Sequence, residues 1–163
     1  MKTQLTKKME QALVSDALCK GKHPALEVEF WHTTPLNGGL YGRVGQVEYI
    51  DAVIEENYSF TCLELKVSMS DLHSKAAQSY VGHKNYLVCP IEMAREIKSK
   101  RDSWLDDHQS VGIIGWDGKK TFKIVKRCKE KYFLPNDDYR VLARGMIVSL
   151  SKEVKKYRWL KNE

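Results

Sequence analysis

Two strand-forming apolar runs, Val47 to Ile54 and Ser59 to Val67, stand either side of Glu56-Asn57-Tyr58, and no other stretch restricts the folding of this chain as tightly. β-Branched and aromatic residues flanking a short polar centre make a hairpin. With the turn centred between Asn57 and Tyr58, antiparallel pairing joins positions whose numbers sum to 115, which sets Asp51 across from Glu64. Directly opposed Cβ atoms lie about 5 Å apart, and two carboxylates that close repel unless something positive lies between them. A divalent metal is the obvious candidate. Strand side chains alternate, so Lys66 shares the face of Glu64 and brings an ammonium beside the carboxylates. The plainer alternative is a solvated strand face, since Glu55 and Glu56 next door are also acidic. The set argues against it. Glu64 and Lys66 alternate with Leu63, Leu65 and Val67, while Ala52, Val53 and Ile54 follow Asp51, and charges embedded in apolar strands mark functional sites.

These residues resemble the PD-(D/E)XK nuclease superfamily, the restriction-endonuclease-like fold, and within it the small DNA-repair-like members. The resemblance rests on Gly42-Arg43 ahead of Asp51, on Glu64-Leu65-Lys66, on Ser68-Met69-Ser70-Asp71-Leu72, and on the strand Asn85-Tyr86-Leu87-Val88-Cys89-Pro90. It spans about Glu27 to Pro90. Ile50 stands where the superfamily's name has Pro, a residue that ligates nothing. The resemblance implies an α/β fold: one domain, a mixed β-sheet flanked by helices. It also implies Mg²⁺, with Mn²⁺ as a substitute, held by Asp51, Glu64 and the backbone carbonyl of Leu65, with Lys66 acting in catalysis beside Asp51 and Glu64. The superfamily often adds a carboxylate from its first helix, which here is Glu10; the alternative for Glu10 is a solvated helix glutamate. Gln78 is similar to a Gln on the helix after the Glu-x-Lys strand in some branches. The branch with Gln and Tyr four apart is not matched, because Gly82 stands at the Tyr position.

The remaining residues fill in one domain, since 163 residues suffice for a proper core. Leu5, Met9, Ala12, Leu13 and Ala17 recur at helical spacing from Thr3 to about Lys20, ending at Gly21. Ala25 to Trp31 alternates as a strand, with Glu27 and Glu29 on one side, and either can approach a metal. Thr33 to Gly45 reads as a loop rich in Gly, Pro and Asn, with Tyr41 and Arg43 as phosphate or base contacts or as ordinary loop residues. Ser68 or Ser70 caps a helix running to about Tyr80, and Lys75 and Gln78 share the side of Asp71, where they could extend a phosphate contact made at the helix start. Capping is the plain role of these serines, and a phosphate contact at the helix start the functional one. Lys84 to Cys89 is a buried strand stopped by Pro90, and Ile91 to Lys100 a helix. Val111 to Trp116 and Thr121 to Val125 form a hairpin about Asp117-Gly118. Asn136 caps a long helix carrying Leu142, Met146, Leu150 and Val154, whose end is basic through Lys152, Lys155, Lys156, Arg158 and Lys161.

Composition narrows the function. Twenty-seven Lys and Arg against 21 Asp and Glu give a formal charge of +6, which suits a polyanion. Four cysteines without a C-x-x-C pair indicate neither zinc nor a disulfide framework, and the five histidines lack metal spacing. No apolar run reaches membrane length and the polar N-terminal segment is unlike a signal peptide, so a soluble cytoplasmic protein is expected. The expected function is metal-dependent hydrolysis of DNA phosphodiesters, with DNA as partner and a homodimer among the assemblies open to it. A DNA-binding or repair-accessory protein that cleaves little is the first rival, and an interaction protein without nucleic acid is the second.

Overall fold

The structure, a computed structural model, describes residues 2–160. Helix α1 (Gln4–Cys19) begins where the Thr3 hydroxyl accepts the Thr6 amide, and the chain leaves it through Gly21 in the left-handed region. Strands β1 (His23–Pro35), β2 (Tyr41–Glu56) and β3 (Ser59–Leu65) follow as an antiparallel meander. Asn57 and Tyr58 have φ of 51° and 63°. Two successive left-handed residues make the type I′ turn, whose twist matches that of paired strands. Pairing then runs from Glu56↔Ser59 to Ala52↔Leu63, the register expected from the sequence.

After a single turn, α2 (Met69–Leu72), come β4 (Lys84–Pro90), α3 (Ile91–Ser99), α4 (Trp104–Asp107), β5 (Gly112–Trp116), β6 (Phe122–Lys126) and α5 (Asp138–Leu160). The six strands lie in the order β1-β2-β3-β4-β5-β6, parallel at β3-β4-β5 and antiparallel elsewhere. The result is an α/β architecture, a mixed sheet flanked by helices. Met9 and Leu13 of α1 pack on Ala52, Leu63, Leu65, Tyr86 and Val88. Val141, Leu142 and Met146 of α5 cover Val28, Phe30, Ile50 and Val53 on the opposite face, and α3 covers Leu87, Cys89 and Ile113 beside them. The hairpin at Asp117-Gly118 forms as expected, its carboxylate accepting the Lys119 and Thr121 amides. No described helix is long and apolar enough to cross a membrane.

Three expectations are corrected. Thr33 to Gly45 is mostly strand, because Thr33↔Arg43 and Pro35↔Tyr41 extend the β1–β2 hairpin and leave only 36–40 as its tip. The helix expected to reach Tyr80 stops at Leu72, and 73–83 runs without regular structure. Asn136 does not cap α5: it adopts φ of 51° and donates its amide to the Thr33 carbonyl. Lys161, assigned to the basic end, lies outside the described residues.

Gly145 shows how closely α5 lies on β1. A Cβ there would stand 2.2 Å from the Glu29 carbonyl oxygen. Gly145→Ala forces the helix away from the strand and lowers stability by about 2–3 kcal/mol, read from urea unfolding with an unchanged slope.

Candidate active site at the fork between β2 and β3

The two strands part at Asp51. Val53 and Ile50 both belong to the core under α5, as do their partners Ala25 and Val28, while Ala52 and Leu26 face α1. The alternation of faces therefore slips by one residue in both strands at Glu27 and Asp51, and Glu27 takes φ of 49°. Neither strand gains a residue, since Leu26↔Ala52 and Val28↔Ile50 keep one register, so the two strands change facing together. At this change of facing the β2–β3 ladder ends, with Ala52↔Leu63 its last pair, and Asp51 Oδ2 accepts the Leu65 amide at 2.8 Å. Because a strand residue's N–H and C=O point to the same side, the Leu65 carbonyl opens into the same fork. The expected face-to-face pair is thus a carboxylate turned into the gap between strands, with Glu64 beside it.

Glu64 is 2 % exposed, and its Oε1 accepts the Ser79 amide at 3.0 Å. Burial, and after it the negative charge of Asp51, push its carboxyl up to about 8, opposed by the Ser79 amide and Lys66. Each carboxylate has one oxygen held by a backbone N–H, which fixes its orientation and leaves the other oxygen for a shared proton or cation. Lys66 is buried, its amide bonded to the Val88 carbonyl and its ammonium 3.7 Å from Asp71. Ser68 accepts the Asp71 amide and so fixes that partner. Tyr80 is packed close enough that Glu64 and Asp51 add to the effect of burial in raising its hydroxyl.

Two hollows of about 450 and 340 Å³ share Lys2 and Asp51. Thr6, Lys66, Ser68 and Asp71 line the smaller, and Glu10, Glu27, Tyr49, Lys152 and Lys156 the larger. Glu10 is buried rather than solvated, and it binds the Lys2 ammonium, which lies 3.0 Å from Glu27. Glu29 is directed to Lys152 at 2.8 Å and lines neither hollow, so it is no candidate for the metal. Asp51 and Glu64 with the Leu65 carbonyl remain a hard oxygen set suited to Mg²⁺ or Mn²⁺. Among the described residues no group of three or more His, Cys, Asp and Glu converges in the manner of a metal centre.

The residues expected to touch nucleic acid are scattered. Arg43 lies over the Trp31 ring at 5.9 Å, eight strand residues and so about 26 Å along β2 from Asp51. Ser70 contacts Ser68, and the single turn they begin is too short to offer a phosphate site. Lys75 is exposed and lines neither hollow. Gln78 is structural: it donates to the Leu72 carbonyl at 3.0 Å and accepts from Tyr80 and Trp104 at 2.9 Å. Sequence reasoning missed Ser79 and Lys2. Ser79 links the Glu64 carboxylate, through its amide, to Glu48, through its hydroxyl.

Cys62 and Cys89 are buried thiols, each pushed up to about 12 by burial, and carry no nucleophilic role. His83 accepts the Phe60 amide at 3.0 Å and holds the start of β3. Comparison of the whole chain with protein-family models, with curated proteins and with solved structures returned no match.

Proposed function

We propose that this chain is a metal-dependent nuclease that hydrolyses DNA phosphodiester bonds at the fork between β2 and β3. The observation that carries the reading is the buried Glu64 carboxyl beside the half-buried Asp51, with the Lys66 ammonium next to them. A carboxyl held at about 8 is poised to exchange its proton for a cation near neutral pH. Asp51, Glu64 and the Leu65 carbonyl would hold Mg²⁺, which polarises a phosphate and acidifies bound water. Lys66 orients the attacking water or takes its proton, and offsets charge developing on the phosphate. Thr6 and Ser68, on the walls of the smaller hollow, bound the space a phosphate would occupy.

A second reading, an accessory protein that cuts only within a complex, is favoured by the charge of the larger hollow. Lys2, Lys7, Lys152 and Lys156 line it, but so do Glu10, Glu27, Asp51 and Glu153, and the two sets cancel. Attraction for a polyanion must then come from the wider surface or from a partner. Purified protein with Mg²⁺ or Mn²⁺ is expected to cut at least one of duplex, single-stranded, branched and nicked DNA. Binding without cutting on every substrate makes the accessory reading the correct one, and neither binding nor cutting leaves an interaction protein. Calorimetry is expected to show Mn²⁺ binding that Asp51→Asn abolishes, whereas tight zinc binding without Mn²⁺ overturns the oxygen-ligand assignment.

A further inference from the structure

The outer half of α5 carries an apolar stripe that the fold leaves uncovered. Ile147, Leu150, Val154 and Tyr157 are 66, 44, 59 and 69 % exposed, although the first three are residues that burial favours. Their spacing of three, four and three residues is that of heptad positions a and d. Ile147 and Val154 fall at a, Leu150 and Tyr157 at d. At about 100° per residue the stripe lies about 100° around the helix from Leu142, Met146 and Ser149, which face the sheet. It also lies well over 90° from Lys152 and Lys156, which line the larger hollow; Glu153 at its edge lines that hollow as well, and Tyr157 borders a separate hollow beside Val14 and Leu18 of α1.

We propose that this stripe pairs with the same stripe of a second copy of the chain, the two helices running parallel. Three features select that occupant. Both a positions are β-branched and Leu150 holds one of the two d positions, and β-branched residues at a with Leu at d favour two parallel strands. Position g before Val154 is Glu153, which pairs with Lys156 of its own helix at 2.6 Å and would exchange that partner, and position e after Tyr157 is Arg158, both exposed. In a parallel pair, g of one helix meets the following e of the other, so Glu153 of each copy faces Arg158 of its mate. A twofold interface requires a self-complementary surface, and Glu153 and Arg158 at the edges of this stripe complement each other in charge. From Ile147 to Tyr157 it measures only about 15 Å, so the dimer is a weak one that exchanges with monomer.

Sedimentation of the full chain from about 5 to about 500 µM is expected to show a reversible monomer–dimer equilibrium. Ile147→Glu is expected to be monomeric throughout with an unchanged melting temperature, since the side chain it replaces is exposed. Glu153→Arg sets Arg against Arg and raises the dissociation constant on the order of tenfold, and adding Arg158→Glu restores it. In a Cys19→Ser background, oxidised Tyr157→Cys joins copy to copy, as only parallel helices bring this end of the stripe onto itself. A wild-type chain that stays monomeric, or an Ile147→Glu chain that still dimerises, overturns the proposal. Failure of the charge reversal to restore pairing overturns the parallel register.

Discussion

On the proposed nuclease function, Lys66→Ala is expected to lower Mg²⁺-dependent DNA cleavage by at least about a thousandfold while changing DNA affinity, measured in Ca²⁺, by less than about threefold. The ammonium is buried beside the carboxylates and 3.7 Å from Asp71, so its removal takes a proton carrier and a positive charge from the reacting atoms but little from the outer surface. Lys66→Met keeps most of the buried aliphatic stem and is expected to fail in the same way, which separates chemistry from packing. Asp51→Asn should also stop cleavage, and it should bind DNA at least as tightly, having lost a negative charge facing the phosphate. Affinity itself should fall steeply with salt as phosphate contacts release counterions. Cleavage by Lys66→Ala within tenfold of wild type would remove this residue from the mechanism.

Glu64→Gln stabilises the metal-free protein at pH 8 by on the order of 3 kcal/mol, and by almost nothing at pH 4.5. A carboxyl whose folded pKa, about 8, lies above its unfolded value of 4.5 holds its proton more tightly in the folded chain. Below pH 4.5 both states are protonated and the site costs nothing. Stability is then lost as pH rises from 4.5 through about 8, where the buried Glu64 carboxyl must ionise. Glutamine has the same shape, still accepts the Ser79 amide through its carbonyl, and carries no charge at any pH. The difference between wild type and variant isolates this site from Asp138, raised by burial, and His83, lowered by burial. Divalent cation should reverse the ranking by stabilising wild type at pH 8 and leaving Glu64→Gln unmoved. Urea unfolding across that range checks both statements, and equal stabilities at pH 8 would mean that Glu64 is not forced to ionise beside Asp51.

The register of the central hairpin was legible because its causes are local. A two-residue turn at Asn57-Tyr58 and alternating apolar residues set which positions face each other. The change of facing at Glu27 and Asp51 was not legible, because it depends on two strands turning together under different helices. Residues 73–80 carry a sequence that would suit a helix, yet they run irregularly. The buried Glu64 carboxylate takes the Ser79 amide and Gln78 takes the Leu72 carbonyl, demands made by distant parts of the chain that outweigh propensity. Thr33 to Gly45 misled for the converse reason: a composition rich in Gly, Pro and Asn is tolerated in the outer arms of a hairpin. Asp51, Glu64 and Lys66 were found from the pattern of charge within apolar strands, while Ser79, which holds one of them in place, has no such pattern around it.

The cover that α5 places on β1 sets an order of events during synthesis. Val28 and Phe30 leave the ribosome more than a hundred residues before Leu142 and Met146, the side chains that bury them. At about 5–20 residues per second that interval is roughly 6–22 s, far longer than a hairpin needs to form. For that time the nascent β1–β2 ribbon presents Val28, Phe30, Ile50 and Val53 as an open apolar face. Any ribosome that stops short of α5 releases a product in which Val28, Phe30, Ile50 and Val53 lack the side chains that cover them in the folded chain.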